Sequence, residues 1–345
     1  METLKVLVWE YTLNCNSKCI HCGSDAGASR TNELTSEEAL GLVDQAHELG
    51  VEKIVLSGGE PTMRKDWPRT AERIKDYGMK FGIISNGLAW NGQTIENILS
   101  TKPFAVGFSV DGEPKLHDYL RGVKGSHRKV FDRILELKRK NQEVCVVTTV
   151  NNQNINELKE IRYRLNDYNV DAWQIQLASP MGRMDASLTL DDKEYHKLTE
   201  FINDSRKLLP YMNVQAGDCI GYFGNLEKEL RDDGVVWNGC SAGIHVIGVD
   251  SDGGIRGCLS IRAPDAIEGN IRKQSLKEIW ENPNNFSYNR KFNIENLKGG
   301  CKGCEHGAQC RGGCQSSSTA FYGEFNKAPL CNYRFEEGVK NGKKE

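Results

Sequence analysis

The chain has 345 residues, with 45 basic and 47 acidic side chains, a formal net charge of −2 and twelve cysteines. So even a balance leaves no electrostatic footprint for nucleic acid. No apolar run nears the ~18 residues of a membrane span, and METLKVLVWE lacks the basic-then-apolar order of a secretory signal. Clustered cysteines without a signal point to metal ligation rather than disulfides, so a reducing, cytoplasmic location is expected.

KVLVWEY reads as a first strand. Thr35 with Glu38 three residues on forms a capping box, so a helix opens there and runs to Leu49-Gly50. EKIVLS, KFGIIS, FAVGFSV, EVCVVTTV and DAWQIQLA read as five further strands. Helical patterns at about 66–78, 92–100, 126–140 and 154–167 lie between them. Six strands alternating with helices imply parallel pairing through right-handed crossovers. Residues 1–190 are therefore expected to form one α/β core. Residues 191–239 read as a bridge, with a helix start at Thr189-Leu190-Asp191 and one more strand in YMNVQAGD. From Cys240 the regular apolar periodicity fades, and seven of the twelve cysteines follow. A separate, cysteine-rich domain is expected over 240–345, without a large core of its own and folded largely by ligation. The tail GVKNGKKE is expected to be solvated.

The chemistry-bearing residues stand at strand ends. Cys15, Cys19 and Cys22 form a C-x3-C-x2-C array on the loop after the first strand. Zinc and four-iron clusters usually take four ligands. Three thiolates leave one position open for a substrate or cofactor, the mark of a catalytic metal site. Gly58, Gly59, Glu60 and Pro61 follow the second strand directly, where glycines let backbone approach a ligand closely. Read alone, the cysteines fit a zinc knuckle and the second motif an ordinary turn. Together, at the C-terminal ends of adjacent strands where barrel chemistry collects, they favour a functional site.

This combination resembles the radical S-adenosylmethionine (radical SAM) enzymes. The resemblance implies an open, partial (β/α)6 barrel. It implies a 4Fe–4S cluster on the three cysteines whose open iron chelates SAM, and reductive cleavage to a 5'-deoxyadenosyl radical that abstracts hydrogen. It also implies SAM contacts from Gly58 to Pro61, from Ser109 and Arg121 in FAVGFSVDG-x4-HDYLRG, and, as weaker candidates, from Asn86, Asn151 and the backbone of Leu177. His21 stands where the family packs a residue near the adenine; a surface histidine is the plainer reading. The pattern Cys240, Cys258, Cys301, Cys304, Cys310, Cys314 and Cys331 resembles the SPASM extension of such enzymes, with two zinc sites as the plainer alternative. The resemblance implies two auxiliary 4Fe–4S clusters, on Cys240, Cys258 and Cys314 and on Cys301, Cys304, Cys310 and Cys331. Cys145 reads as a small buried apolar residue. Cys219 reads as a fourth ligand to the first auxiliary cluster, a hydrogen-atom donor or neither, with the ligand role preferred; Asp218 beside it is a candidate polar active-site group.

The expected function is modification of a ribosomally made peptide by cross-linking, oxidation or epimerisation. The reductant would be a protein such as flavodoxin or ferredoxin, and a separate protein would bind the leader peptide, since only 14 residues precede Cys15. Alternatives are a sugar or aminoglycoside substrate, or maturation of a sulfatase to formylglycine. The sulfatase reading is weakened because Leu259, not aspartate, follows Cys258. A structural or electron-carrying metal protein would not need the GGEP motif or Ser109 with Arg121.

Overall fold

Seven parallel strands lie side by side in chain order: β1 (Val6–Thr12), β2 (Lys53–Gly58), β3 (Lys80–Ser85), β4 (Ala105–Ser109), β5 (Val144–Val150), β6 (Ala172–Leu177) and β7 (Asn213–Ala216). The computed structural model describes residues 3–340. The strands are joined through helices α1 (Ser36–Glu48), α2 (Trp67–Asp76), α3 (Gly92–Thr101), α4 (Pro114–Arg121), α5 (Ser126–Lys138), α6 (Leu158–Asp167) and α7 (Asp192–Leu208). Thr35 and Glu38 close the expected capping box on α1, and Asp191 with Glu194 does the same for α7. Among the described residues no helix is long and apolar enough to cross a membrane.

The sheet faces follow from the period-2 pattern. On β5 and β6, Val146, Thr148, Trp173 and Ile175 are buried, and Trp173 stacks edge-on against Phe201 of α7. The opposite face carries the half-buried Thr149, Gln174 and Gln176. That face is the lumen of an open barrel.

Three expectations change. The helical patterns expected from sequence leave out the stretch after β4, yet Pro114 at the first turn and Gly122 as a left-handed C-cap delimit the short helix α4 there. Residues 191–239 do not stand apart as a bridge: β7 pairs with β6 from Ala172↔Asn213 to Ile175↔Ala216 and continues the sheet.

The third change concerns the cysteine-rich segment, which does feed the main core. Its strand β8 (Val246–Val249) pairs parallel to β1 from Val6↔Val246 to Trp9↔Val249. Antiparallel β9 (Gly254–Arg256) and β10 (Gly269–Asn270) complete a ten-stranded sheet. Ile247, Val249, Ile255, Leu276, Ile279, Trp280 and Phe286 join the same apolar cluster as Leu7 and Trp9. Periodicity misses β8 because it has four residues, one of them Gly248. A Cβ there would lie 2.5 Å from the Leu259 nitrogen, so only glycine lets the chain after Cys258 cross the strand. In the tail, Gly338–Lys340 end a helix that starts at Asn332, and residues 341–345 lie outside the described residues.

Candidate active site at the strand ends

The loop after β1 brings Cys15, Cys19 and Cys22 together. Burial, with the neighbouring Glu60, Cys19 and Cys22 charges adding, pushes the Cys15 thiol up to about 11. Donors already point at these sulfurs: Ser17 N at 3.4 Å and Asn86 Nδ2 at 3.7 Å from Cys15 Sγ, Ala26 N at 3.4 Å from Cys22 Sγ, and Arg121 Nη1 at 3.7 Å from Cys19 Sγ. N–H groups aimed at thiolate are what an iron–sulfur site needs to stabilise its charge. A hollow of about 450 Å³ lies beside Cys19, lined by Lys18, Cys19, Ile20, Ala26, Gly27 and Arg183.

The GGEP turn locks against this loop. A Cβ on Gly59 would sit 2.3 Å from the Asn14 carbonyl, so glycine is required where the two backbones cross. Glu60 is fully buried. Its carboxylate accepts from Thr62 N and Oγ1, from Ser85 Oγ at 2.8 Å and from Asn86 N at 2.7 Å. Burial pushes its pKa up despite these donors. Glu60 thus latches the end of β2 to the end of β3. Pro61 opens a one-turn helix, Pro61–Met63. Asn86 in turn reaches the cysteine loop, at 2.8 Å from Asn16 Oδ1.

On the far side, Asp111 is fully buried against Arg121 and His21, with Arg121 Nε at 2.6 Å and His21 Nε2 at 3.1 Å from Oδ2. Despite desolvation, these partners, Arg121 first, hold its carboxyl well below the usual range. His117 Nδ1 accepts from the Asp111 amide, and burial, then Arg121, pull its pKa down to about 3. His21 is thus buried and ion-paired, not a surface residue. Asp118 accepts from Gly125 N, Ser126 Oγ and His127 N and caps α5. Ser109 is half-buried at the end of β4. Asn151 is fully buried; its Oδ1 accepts from Gln153 N, while its Nδ2 meets no partner.

The other cysteines form two sets. None of the twelve forms a disulfide. Cys240 lies against Cys314 and holds the Cys314 thiol below its ordinary range. Cys258 and Cys219 both feel the Cys314 charge. Burial pushes Cys219 up to about 12; its Sγ accepts from the Leu177 amide at 3.2 Å. The Leu177 N–H is thereby committed to a thiol. Cys301, Cys304 and Cys331 crowd Cys310, raising its pKa beyond what burial alone does. Ala328 N donates to Cys301 Sγ at 3.3 Å. Among the described residues no three ligating side chains gather tightly enough for a single metal ion. Thiolates are the donors that a 4Fe–4S cluster takes. Cys145 stands apart, half-buried in β5 with its thiol pushed up to about 11 by burial.

Asp218 is exposed in the loop after β7. Desolvation pushes its carboxyl up, and Arg231 opposes this.

One group of residues escaped the sequence reading. Glu10, fully buried on β1, pairs with Arg30 at 2.9 Å and with Arg262 at 2.9 Å, while Arg262 Nη2 reaches Ser24 Oγ at 2.6 Å. A charged residue between the buried Trp9 and Tyr11 is the signal that marks it.

Residues 9–163 match the radical SAM superfamily, and residues 240–305 match SPASM, an iron–sulfur cluster-binding domain. The AdoMet-dependent heme synthase of Methanosarcina barkeri is 27% identical, over 96% of this chain and 97% of that one. The mycofactocin maturase MftC of Mycolicibacterium smegmatis is 26% identical, over 90% of this chain and 78% of that one. SuiB of Streptococcus suis shares the fold, with a TM-score of 0.77 at 18% identity over 95% of this chain and 77% of that one; SuiB bound to its precursor peptide SuiA gives 0.74 at 18%, over 91% and 72%. The cysteine sets, the strand-end motifs and both family matches agree: this chain is a radical SAM enzyme with a SPASM domain.

Proposed function

We propose that the chain holds three 4Fe–4S clusters, on Cys15, Cys19 and Cys22, on Cys219, Cys240, Cys258 and Cys314, and on Cys301, Cys304, Cys310 and Cys331, and that it oxidises or cross-links a ribosomally made peptide. When bound, the first cluster and SAM supply an electron and a 5'-deoxyadenosyl radical that removes one hydrogen atom from substrate carbon. The chain's own residues position that event. Asn86 and Arg121 steady the cysteine loop, and the Asp111 carboxylate fixes Arg121 and His21. Ser109, Asn151 and the Gly58–Pro61 turn would contact SAM. An auxiliary cluster would supply the acceptor for the substrate's second electron, and Asp218, beside Cys219, would take the accompanying proton. A small acidic electron carrier such as flavodoxin or ferredoxin would reduce the first cluster.

The observation that carries the peptide reading is the lumen wall. Gln174 pairs with Gln215 across β6 and β7, and Gln176 with Thr149 across β5 and β6, so all four share one half-buried face. Only Gln176 and Thr149 are tied together, at 3.0 Å. A wall of neutral amides offers paired donors and acceptors that match peptide groups. The mycofactocin maturase relative supports the same class. An iron porphyrin is the second reading, favoured by the end-to-end match to the heme synthase. Anaerobic assays with SAM and dithionite separate them. A precursor peptide encoded beside the gene should raise 5'-deoxyadenosine release and change in mass, while iron coproporphyrin should do neither. Stimulation by the porphyrin alone would replace the peptide reading with the second.

A further inference from the structure

Tyr222 touches both SPASM cysteine sets. Its hydroxyl accepts from the Cys314 amide at 3.0 Å and donates to the Asp218 carbonyl at 2.8 Å, beside the set that holds Cys219. Its own carbonyl lies 3.7 Å from Cys331 Sγ, in the other set. Its ring, only 2% exposed, meets Trp237 edge-on at 5.3 Å. Trp237 Nε1 then donates to the Cys310 carbonyl at 3.1 Å, again in the second set. One side chain and its neighbour therefore span the whole gap between the two groups of thiols.

The backbone is held in an unfavourable shape to achieve this. Tyr222 has φ 77° and Phe223 φ 60°, the left-handed region that bulky side chains avoid. Such strain persists only where the surroundings over-determine it. Here the Glu227 carboxylate does so: it accepts from Tyr222 N at 2.8 Å, Phe223 N at 3.0 Å and Trp237 N at 2.8 Å. The left-handed pair turns the side chain toward Cys314 while leaving the carbonyl toward Cys331. Plain core packing would need neither the reversed backbone nor the four polar contacts.

We propose that Tyr222, braced by Trp237, is a positioning residue that sets the separation and relative orientation of the two auxiliary clusters and tunes the first through the Cys314 amide. This rests on the reading that both cysteine sets hold clusters. The hydroxyl keeps the Cys314 N–H occupied. Removing it frees that N–H to turn toward cluster sulfur, and donors to sulfur make a cluster easier to reduce.

The test uses the full-length Tyr222→Phe variant, reconstituted anaerobically, with the parent beside it. Iron content should match the parent. The midpoint potential of the first auxiliary cluster should rise while that of the second holds. The magnetic coupling between the two reduced clusters, read by EPR, should change. Two parent auxiliary signals with unchanged potentials and coupling in Tyr222→Phe would overturn the positioning role and leave the cluster reading standing. A parent with iron for one cluster only would overturn both. If Tyr222→Phe loads no auxiliary cluster, Trp237→Phe decides the matter. That change removes the donor to the Cys310 carbonyl and trims the ring that braces Tyr222, so the second potential and the coupling should shift; a parent-like variant rejects the proposal.

Discussion

Glu10 and Arg262 stand 252 positions apart in the chain, and their side chains meet at 2.9 Å. Arg262 lies four residues after Cys258 and also holds Ser24, two residues after Cys22. One buried carboxylate thus fixes the first cysteine loop against the SPASM segment. Removing one partner of a buried ion pair costs roughly 3–5 kcal/mol, because the other charge stays buried. Arg262→Met should lower stability by about that amount in anaerobic urea titration, discounted for the remaining Arg30 contact. A loss under about 0.5 kcal/mol, the range of an exposed pair, would contradict this reading.

The same carboxylate gives a pH signature. Desolvation alone would raise the pKa of Glu10, but Arg262 and Arg30 bring it below the ordinary value. A depressed folded-state pKa contributes stability that is present above the unfolded pKa, about 4.3, and lost as pH falls through the folded one. Parent stability should therefore fall more steeply below about pH 4 than that of Glu10→Gln. Cluster-free protein should be used, so that acid loss of iron does not enter the titration. Parallel curves would remove Glu10 from the acid response.

Anaerobically reconstituted protein should carry about twelve irons per chain, four for each of three clusters. Changing Cys15, Cys19 and Cys22 together to alanine should remove about four of them and all SAM cleavage. Deoxyadenosine formation by that triple variant would disprove the assignment.

Glu60 and Arg121 should fail differently from simple cofactor ligands. Glu60→Ala leaves Ser85 Oγ and the Thr62 and Asn86 amides without their acceptor, at about 1–3 kcal/mol for each stranded group. It should weaken SAM binding and unfolding resistance together. Arg121→Lys keeps a charge near Asp111 but loses the fork shared with Cys19, so SAM affinity should drop several-fold with stability largely kept. Isothermal titration alongside thermal melts separates the two. Weakened SAM binding at unchanged melting temperature in Glu60→Ala would show that the latch is dispensable.

Cys219→Ser distinguishes three roles. As a ligand, it should perturb the first auxiliary cluster's EPR signal, because serine oxygen is a harder donor than thiolate, while SAM cleavage persists. As a hydrogen-atom donor, it should leave the clusters intact and abolish solvent deuterium in the product. Its position near Cys314, with Sγ held by the Leu177 amide, favours the first outcome. Normal clusters and normal turnover would reject both.

The first cysteine loop and GGEP were legible because their partners lie within a few residues of each other at strand ends. The seven SPASM cysteines were legible by spacing. Asp111-Gly112 reads from sequence as a common turn signal, because the partners of Asp111, His21 and Arg121, are separated from it in the chain. Glu10 hid inside an apolar strand whose charge makes sense only with Arg30 and Arg262 in place. Glu60 read as a cofactor contact because sequence places it beside the site but cannot reveal that Ser85 and Asn86 already surround it. The strand β8 was lost to a glycine required by a backbone crossing.

β1 is paired on both edges, to β2 on one side and to β8 on the other. As the chain leaves the ribosome, β1 and β2 are made early, but the second edge of β1 stays bare until Val246–Val249 appear. The cysteine loop attached to β1 waits equally long for Arg262. Cys15, Cys19 and Cys22 thus gain their last bracing contact only when the final third of the protein arrives.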